Sequence, residues 1–206
     1  MQPGSPQAQL YLASASPRRR ELLAQVGLSP VLLAQEIDES PFPGEGAEVY
    51  VTRLAREKAL AALRDPRCIL PLPVLAADTT VVCAGQILGK PATLTEARYM
   101  LTLLSGQTHQ VLTAVAIGRH DNVETTLVST SVQFRLLQEN EIDAYWATGE
   151  PRDKAGAYAV QGVGAMFVSR IEGSYSGVVG LPLFETLQLL QRFGVSPLRA
   201  NSGVAA

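Results

Sequence analysis

Residues 9–20 read QLYLASASPRRR, and this stretch predicts a strand that leads directly into a helix. The apolar run supports a short strand from Gln9 to Ala13. Ser16 is a favourable helix N-cap residue, and Pro17 suits the first helical position. We therefore expect a helix from Pro17 to Val26 that Gly27 ends.

The rest of the chain continues this alternation but adds hairpins. Helices are predicted at 48–63, at 94–104 behind a Thr93-to-Glu96 capping box, at 139–147 and at 183–193. Strands are predicted at 74–83, 110–118, 124–134, 157–160 and 166–171, and 110–118 should pair antiparallel with 124–134 across a polar turn. The predicted fold class is therefore α/β (mixed α+β), with a mixed, partly antiparallel sheet flanked by helices.

Length and composition favour one globular domain, predicted at 9–195, between flexible tails at 1–8 and 196–206. The 206 residues are 47% hydrophobic and 17% charged, and the net charge is −2. This near-balance argues against a nucleic-acid polymer as partner, because such binding needs a basic surplus. We expect no membrane span, because no uncharged apolar run approaches about 18 residues. The first six residues lack the features of a signal peptide, so a cytoplasmic location is predicted.

The start of the first helix is a candidate phosphate site. Arg18, Arg19 and Arg20 lie in the first turn, where cations oppose the helix dipole by about 0.3–1 kcal/mol each. A bound anion would reverse that cost. The hydroxyls of Ser14 and Ser16, free N–H groups and guanidinium groups together suit a polyphosphate. The alternative is a solvated basic turn.

Two charged residues interrupt apolar patterns. Lys58 shares a helix face with Leu54 and Ala62, so its ammonium must reach the surface or meet an anion. Asp78 interrupts the apolar strand 74–83. It needs a metal, a cation or a strand-end position facing a cleft, unless it caps a bulge or turn.

Two further residues could complete such a site. Glu39, in the acidic run 36–39, could add a second carboxylate, or the run could be a solvated loop. Lys90 follows a turn after the Asp78 strand and could fold back over it, or be an exposed loop lysine. Other chemistries are excluded by missing motifs: His109 and His120 lack metal spacing, and there is no Gly-x-Ser-x-Gly elbow, Walker A loop or complete dinucleotide fingerprint.

Taken together, these motifs resemble those of the Maf proteins, the septum-formation-inhibitor-like nucleotide pyrophosphatases. The matching segments occur in order over nearly the whole chain outside its tails. They are 12–19 with 22–23, 37–39, 54–59, 77–79, 89–91, 104–109, 153–158, 161–162 and 173–175 through 180–182.

The resemblance implies hydrolysis of a nucleoside triphosphate between its α- and β-phosphates, with Mg²⁺ or Mn²⁺, in nucleotide-pool sanitation or control of cell division. It also implies an elongated, Maf/ITPase-like fold with two lobes around a central cleft, and a homodimer. Asp78 matches the proposed general base, and Glu39, Lys58 and Lys90 match the other active-site positions. Ser14, Arg18 and Arg19 match the phosphate-binding loop, and the two carboxylates Glu39 and Asp78 are the expected metal ligands.

The resemblance extends to a subgroup. Arg18, Thr79 and Gln161 match the specificity positions of the dTTP/UTP pyrophosphatases, where the 7-methyl-GTP subgroup carries Trp, Glu and Glu. A Gln amide can donate to a pyrimidine O4 while it accepts from N3–H. Base-modified pyrimidine nucleotides are a further candidate substrate class. The alternatives are a non-catalytic nucleotide-binding division regulator and a 7-methyl-GTP-type pyrophosphatase.

Overall fold

A computed structural model describes residues 8–197 and contains a seven-stranded mixed sheet flanked by helices. The strands are β1 (Leu10–Leu12), β2 (Pro30–Leu32), β3 (Val74–Cys83), β4 (Gln86–Leu88), β5 (Thr108–Arg119), β6 (Asn122–Phe134) and β7 (Val168–Glu172). The helices are α1 (Pro17–Gln25), α2 (Ala47–Arg64), α3 (Leu94–Leu104), α4 (Glu139–Ala147), α5 (Tyr175–Val179) and α6 (Leu183–Arg192). The predicted mixed α/β class is confirmed.

The sheet leaves a gap along one edge of β3. The strand order is β2-β1-β3-β5-β6-β7, with β1 parallel to β2 and β3, and the other pairs antiparallel. Strand β5 follows one edge of β3 from Val74 to Val82. On the other edge, β1 pairs only up to Leu75, and β4 begins pairing at Val81. Among the described residues, 76–80 of β3 therefore have no strand partner on that edge.

Helix α2 lies against the sheet through small side chains. Its fully buried positions include Val51, Ala55, Ala59 and Ala62. They pack with Ala76, Ala114 and Ala116 on β3 and β5. Because alanine side chains are short, the helix comes close to the strands, and Lys58 on the same side of the helix is brought to β3.

The hydrophobic core divides around the gap in β3. On the β1 side, α2 covers one set of buried residues, and α1 and α6 cover another. Beyond Val81, a separate set joins α3 and α4 to the far end of the sheet. This division corresponds to the expected two lobes around a cleft.

Several predicted elements need correction. The predicted strand 157–160 is wrong: Ala155–Ala157 is a 3₁₀ helix, and the following residues run without a strand partner. Residues 157–160 are almost fully buried, so their apolar sequence has the pattern of a buried strand. The last strand begins at Val168 instead of Met166 because Val163–Phe167 is a 3₁₀ helix. Strands β2 and β4 and helix α5 were not predicted.

The predicted tails at 1–8 and 196–206 fall outside the described residues, apart from residues 8, 196 and 197. Ser16 occupies the N-cap position of α1, but its side chain makes no capping hydrogen bond. Instead, its backbone N–H donates to Oγ of Ser14 at 3.2 Å.

Within residues 8–197, no helix has the length and apolar character needed to cross a membrane.

Candidate active site

The gap along β3 opens into a cavity of about 320 Å³. The loops that follow β1 and β4 meet there, opposite the segment 153–161. Every site residue predicted from the sequence lines this cavity: Ser14, Ser16, Arg18, Arg19, Glu39, Lys58, Asp78, Thr79, Lys90 and Gln161. Residues that are far apart in the sequence therefore share one cleft.

Lys58 lies between two carboxylates at the base of this cleft. Its Nζ is 2.7 Å from Oδ1 of Asp78 and 2.5 Å from Oε1 of Glu39. Lys58 and Asp78 are 9% and 8% exposed. The lysine thus meets anions instead of reaching to solvent, and it supplies the cation that a buried Asp78 requires. The exposed Lys90 approaches from the other side, with its Nζ 3.9 Å from Oε2 of Glu39.

The loop that carries Glu39 is held by helix α2. The hydroxyl of Tyr50 donates to the backbone oxygen of Glu39 at 2.9 Å. One residue later, the oxygen of Ser40 accepts from Nη2 of Arg53 at 3.1 Å. Arg53 also pairs with Glu45, where Nε and Oε1 are 2.6 Å apart. Lys58 and Glu39 are therefore positioned by the same helix.

The loop that carries Lys90 is held from the opposite wall. The N–H of Gly156 donates to the oxygen of Gly89 at 3.0 Å. Gly156 has a φ of +70°, and a Cβ there would lie 2.9 Å from Cγ2 of Val81. The close approach and the left-handed backbone both require glycine at this position.

The charges around Glu39 keep it ionised. Its partial burial raises the pKa, but the hydrogen bond and charge of Lys58, with the charges of Lys90 and Arg19, outweigh this effect. The net result is a pKa below the ordinary value for a glutamate. Glu39 is therefore a carboxylate at neutral pH.

Arg19 is held in the cleft by three hydrogen bonds. Its Nε donates to the oxygen of Gly180 at 2.8 Å, its Nη1 to Oγ of Ser14 at 3.0 Å, and its Nη2 to Oγ1 of Thr79 at 3.3 Å. Burial lowers the pKa of Arg19, and the charge of Asp78 works against that shift. Arg19 therefore links the loop after β1 to strand β3.

The donor and the acceptor can be assigned in each hydrogen bond of Thr79. Oγ1 of Thr113 donates to the oxygen of Gly177 at 2.8 Å and lies 3.0 Å from Oγ1 of Thr79. A hydroxyl has a single proton, and a carbonyl can only accept. The proton between the two threonines therefore comes from Thr79, whose oxygen accepts from Arg19. In this arrangement Thr79 has no proton to offer a ligand.

Arg18 lies on the rim of the cleft. Its Nη1 is 3.6 Å from Oδ2 of Asp153. Its Nε is buried and has no hydrogen-bond partner among the described residues. Burial lowers its pKa, which the charges of Asp153 and Glu21 partly oppose. Because Arg18 lines the cavity with a partly buried positive charge, an anionic ligand here would be favourable.

The donor set fits Mg²⁺ only together with a substrate. Within residues 8–197 there is no group of three or more His, Cys, Asp or Glu side chains that could hold a metal ion. Glu39 and Asp78 supply two carboxylates, and the oxygen of Asp78 that accepts from Lys58 is Oδ1. Mg²⁺ is commonly held by one or two carboxylates plus substrate phosphates and water. The residues present are therefore compatible with an ion that enters with a polyphosphate.

Comparison with known proteins agrees with this geometry. The sequence model of the family described as Maf-like protein matches residues 9–193. The chain belongs to the Maf-like protein family. A protein of Methylobacillus flagellatus named "dTTP/UTP pyrophosphatase" is 54% identical over 188 residues, which are 91% of this Maf-like chain and 94% of that protein. A protein of Myxococcus xanthus with the same name is 55% identical over 198 residues, 95% of this chain and 98% of that protein.

Some residues of this Maf-like site were not identified from the sequence. Asp153, Lys154 and Tyr158 line the cavity, and the motif 153–158 was quoted only for its resemblance. Thr113 lies behind Thr79, directly opposite it in the β3–β5 pair. Only the strand register could have identified Thr113, because its position within β5 looks like any other buried one.

Proposed function

We propose that this Maf-like protein hydrolyses dTTP and UTP to the nucleoside monophosphate and pyrophosphate. The observation that carries the proposal is the meeting, in one cleft, of a cationic helix start with two carboxylates that share Lys58. Relatives that are 53–55% identical bear the name "dTTP/UTP pyrophosphatase". Base-modified pyrimidine nucleotides are included as a further substrate class.

The triphosphate would lie along the start of helix α1. Ser14 and Ser16 would offer their hydroxyls, and Arg18 would offer its guanidinium group. Arg19, which is already oriented by its neighbours, would add a second guanidinium. Lys90, exposed on the opposite loop, would cover the phosphates from the other side. Helix N-termini with such cations are favourable phosphate sites.

Gln161 would read the base. It is exposed on the wall opposite helix α1, and its amide can donate to O4 and accept from N3–H of uracil or thymine. Arg18 and Thr79 are the other two specificity positions. Because the Thr79 proton is committed to Thr113, Thr79 would contribute through Arg19 and as an acceptor.

Asp78 would act as the general base. Since Oδ1 accepts from Lys58, Oδ2 is the oxygen that would take a proton from the attacking water. Lys58 would keep both carboxylates in place, and the surrounding cations would stabilise the charge that develops on the phosphates. When bound, Mg²⁺ or Mn²⁺ on Glu39 and Asp78 would neutralise phosphate charge.

Two alternatives remain from the sequence. A non-catalytic division regulator would bind the same nucleotide, but carboxylates beside a phosphate site hinder binding unless a metal intervenes. A 7-methyl-GTP pyrophosphatase would need an aromatic side chain to stack on the cationic base, where this chain has Arg18. Both observations favour the pyrimidine nucleotide enzyme.

A substrate panel tests the proposal. The protein is incubated with dTTP, UTP, CTP or 7-methyl-GTP and Mg²⁺, with a chelator added to matched samples, and pyrophosphate is measured. We expect release from dTTP and UTP well above the other two, and its loss with chelator. Tight binding without turnover would support the regulator, and a preference for 7-methyl-GTP would support the other subgroup.

The proposal extends to assembly and location. We propose a homodimer in the cytoplasm that acts in nucleotide-pool sanitation or division control, as the family resemblance implies. Nucleoside triphosphates are cytoplasmic metabolites, which supports the location. Light scattering coupled to size exclusion tests the dimer: a mass near twice 22.0 kDa is expected, and a mass equal to one chain would contradict it.

A further inference from the structure

The carboxylate of Glu150 lies behind the loop that carries Gln161 and accepts three hydrogen bonds. Its Oε1 accepts from the hydroxyl of Tyr145 at 2.6 Å and from the N–H of Gly164 at 3.0 Å, and its Oε2 accepts from the N–H of Val163 at 2.9 Å. Burial raises the pKa of Glu150, but these three donors outweigh it and hold the pKa below its ordinary value. The group is therefore an anion that binds the backbone after Gln161.

The same cluster also binds the backbone before Gln161. The Tyr145 hydroxyl, which donates to Glu150, accepts from the N–H of Ala159 at 3.1 Å. Because Gly162 has no Cβ, the Glu150 carboxylate can approach the loop closely; a Cβ there would lie 2.2 Å from Oε2 of Glu150. Gln161 is thus an exposed residue of a short loop that is anchored on both sides.

We propose that Glu150 is a positioning residue that sets base selectivity by fixing the Gln161 loop. This inference rests on the proposed function. Uracil and thymine present an acceptor at O4 and a donor at N3, whereas cytosine presents the reverse pattern. A Gln amide matches either pattern depending on how it is turned. Discrimination therefore depends on where the loop places the amide relative to the base, and the Glu150 cluster fixes the backbone on both sides of Gln161.

Glu150→Gln tests the inference with little change in shape. The amide nitrogen replaces one carboxylate oxygen and faces N–H or O–H donors, so at least one anchoring bond is lost. We expect the dTTP-to-CTP ratio of kcat/KM to fall about tenfold, through a raised KM for dTTP with kcat within about threefold. Inhibition by pyrophosphate, which has no base, should stay unchanged. Tyr145→Phe, which removes the hydroxyl between Glu150 and Ala159, should act in the same direction but less.

The control and the outcomes separate this inference from the proposed function. Glu139→Gln changes an exposed carboxylate in the first turn of helix α4, which also carries Tyr145, and should leave the ratio at the wild-type value. Absence of turnover by the wild type would contradict the proposed function. Turnover by the wild type with an unchanged ratio in Glu150→Gln would overturn the inference, as would equal weakening of dTTP and pyrophosphate binding. If Glu150→Gln does not fold, Tyr145→Phe decides by the same criteria.

Discussion

Nζ of Lys58 lies 2.7 Å from Oδ1 of Asp78, and both residues are buried. A buried ion pair is expensive to desolvate and strongly destabilising to break, because removal of one partner leaves the other charge unpaired. Here the pair lies at the base of the cleft, where β1 has ended and β4 has not begun. The gap in the sheet thus opens this edge of β3 to the cavity, which both residues of the pair line.

Removal of the Lys58 charge should disable the site. In Lys58→Met, Glu39 and Asp78 lose their shared cation, so we expect kcat/KM for dTTP to fall about 100-fold or more and the free energy of unfolding to fall by about 3 kcal/mol. The pKa of Glu39, which Lys58 helps to lower, should rise, and the acid limb of the pH–rate profile should move to higher pH. Steady-state kinetics and urea denaturation measure both effects.

The matched control for this prediction lies on the same helix. Arg64→Met removes a cation from the exposed last turn of α2; it should leave the kinetics unchanged and lower the free energy of unfolding by no more than about 0.3–1 kcal/mol, through its interaction with the helix dipole. A Lys58→Met protein with the pH profile and turnover of the wild type would show that the buried pair has no part in catalysis.

The hydrogen-bond chain from Arg19 to Gly177 should behave as one unit. Thr113→Val keeps the side-chain shape but removes the acceptor for Thr79 and the donor to Gly177. We expect a loss of stability of about 1–2 kcal/mol and a rise in KM for dTTP of about fivefold, because Arg19 loses its orientation. Denaturation and initial-rate measurements check these values.

A double-mutant cycle makes that prediction sharper. The Thr79→Val/Thr113→Val double variant should lose about as much stability as either single variant, because each substitution breaks the same chain of hydrogen bonds. Thr125→Val, at an exposed position of β6, serves as the control. Additive losses in the cycle would mean that the two threonines act independently.

The parts of this fold that the sequence predicted are those with a long, regular pattern. Strand β3 was predicted with its observed bounds, and α2 within one residue at each end, because their apolar positions repeat over many residues. Strands β2 and β4 have three residues each, which is too short for any period to stand out. The equally short β1 was predicted because its apolar run leads directly into the Ser16–Pro17 helix start. The segment after Lys154 was mistaken for a strand because it is buried without belonging to the sheet.

Some residues of the candidate site could be identified from the sequence, and others could not. Lys58 and Asp78 could be identified because each places a charge within an apolar pattern, and that conflict predicts a partner. Glu150 and Thr113 gave no such signal. Their importance depends on which backbone groups they meet after folding, and those contacts follow from the strand register and from the path of the loop around Gln161.

Buried His109 should make the protein less stable in mild acid. Its ring packs edge-on against Phe134 and Tyr158, and its Nε2 lies 2.9 Å from the Tyr158 hydroxyl. Burial lowers the pKa of His109 from 6.5 to about 4. Between pH 6.5 and about 4, this histidine therefore binds a proton in the unfolded chain but not in the folded protein. The free energy of unfolding should fall by about 3 kcal/mol as the pH drops through this window, and level off below it.

Substitution at His109 isolates this contribution. His109→Gln does not titrate, so its stability should vary much less between pH 6.5 and 4 than that of the wild type. His120→Gln, at an exposed position, should keep the wild-type dependence. Urea denaturation over a pH series gives the comparison. Identical curves for the His109 variant and the wild type would rule out this histidine as the source.

The most direct test of the whole account is product analysis with dTTP and Mg²⁺ for the wild type and for Asp78→Asn. Chromatography separates dTMP, dTDP, phosphate and pyrophosphate, and thermal unfolding establishes that both proteins are folded. We predict equal amounts of dTMP and pyrophosphate from the wild type, and turnover reduced about 100-fold or more in the variant. Release of dTDP and phosphate, or an Asp78→Asn protein as active as the wild type, would contradict the account.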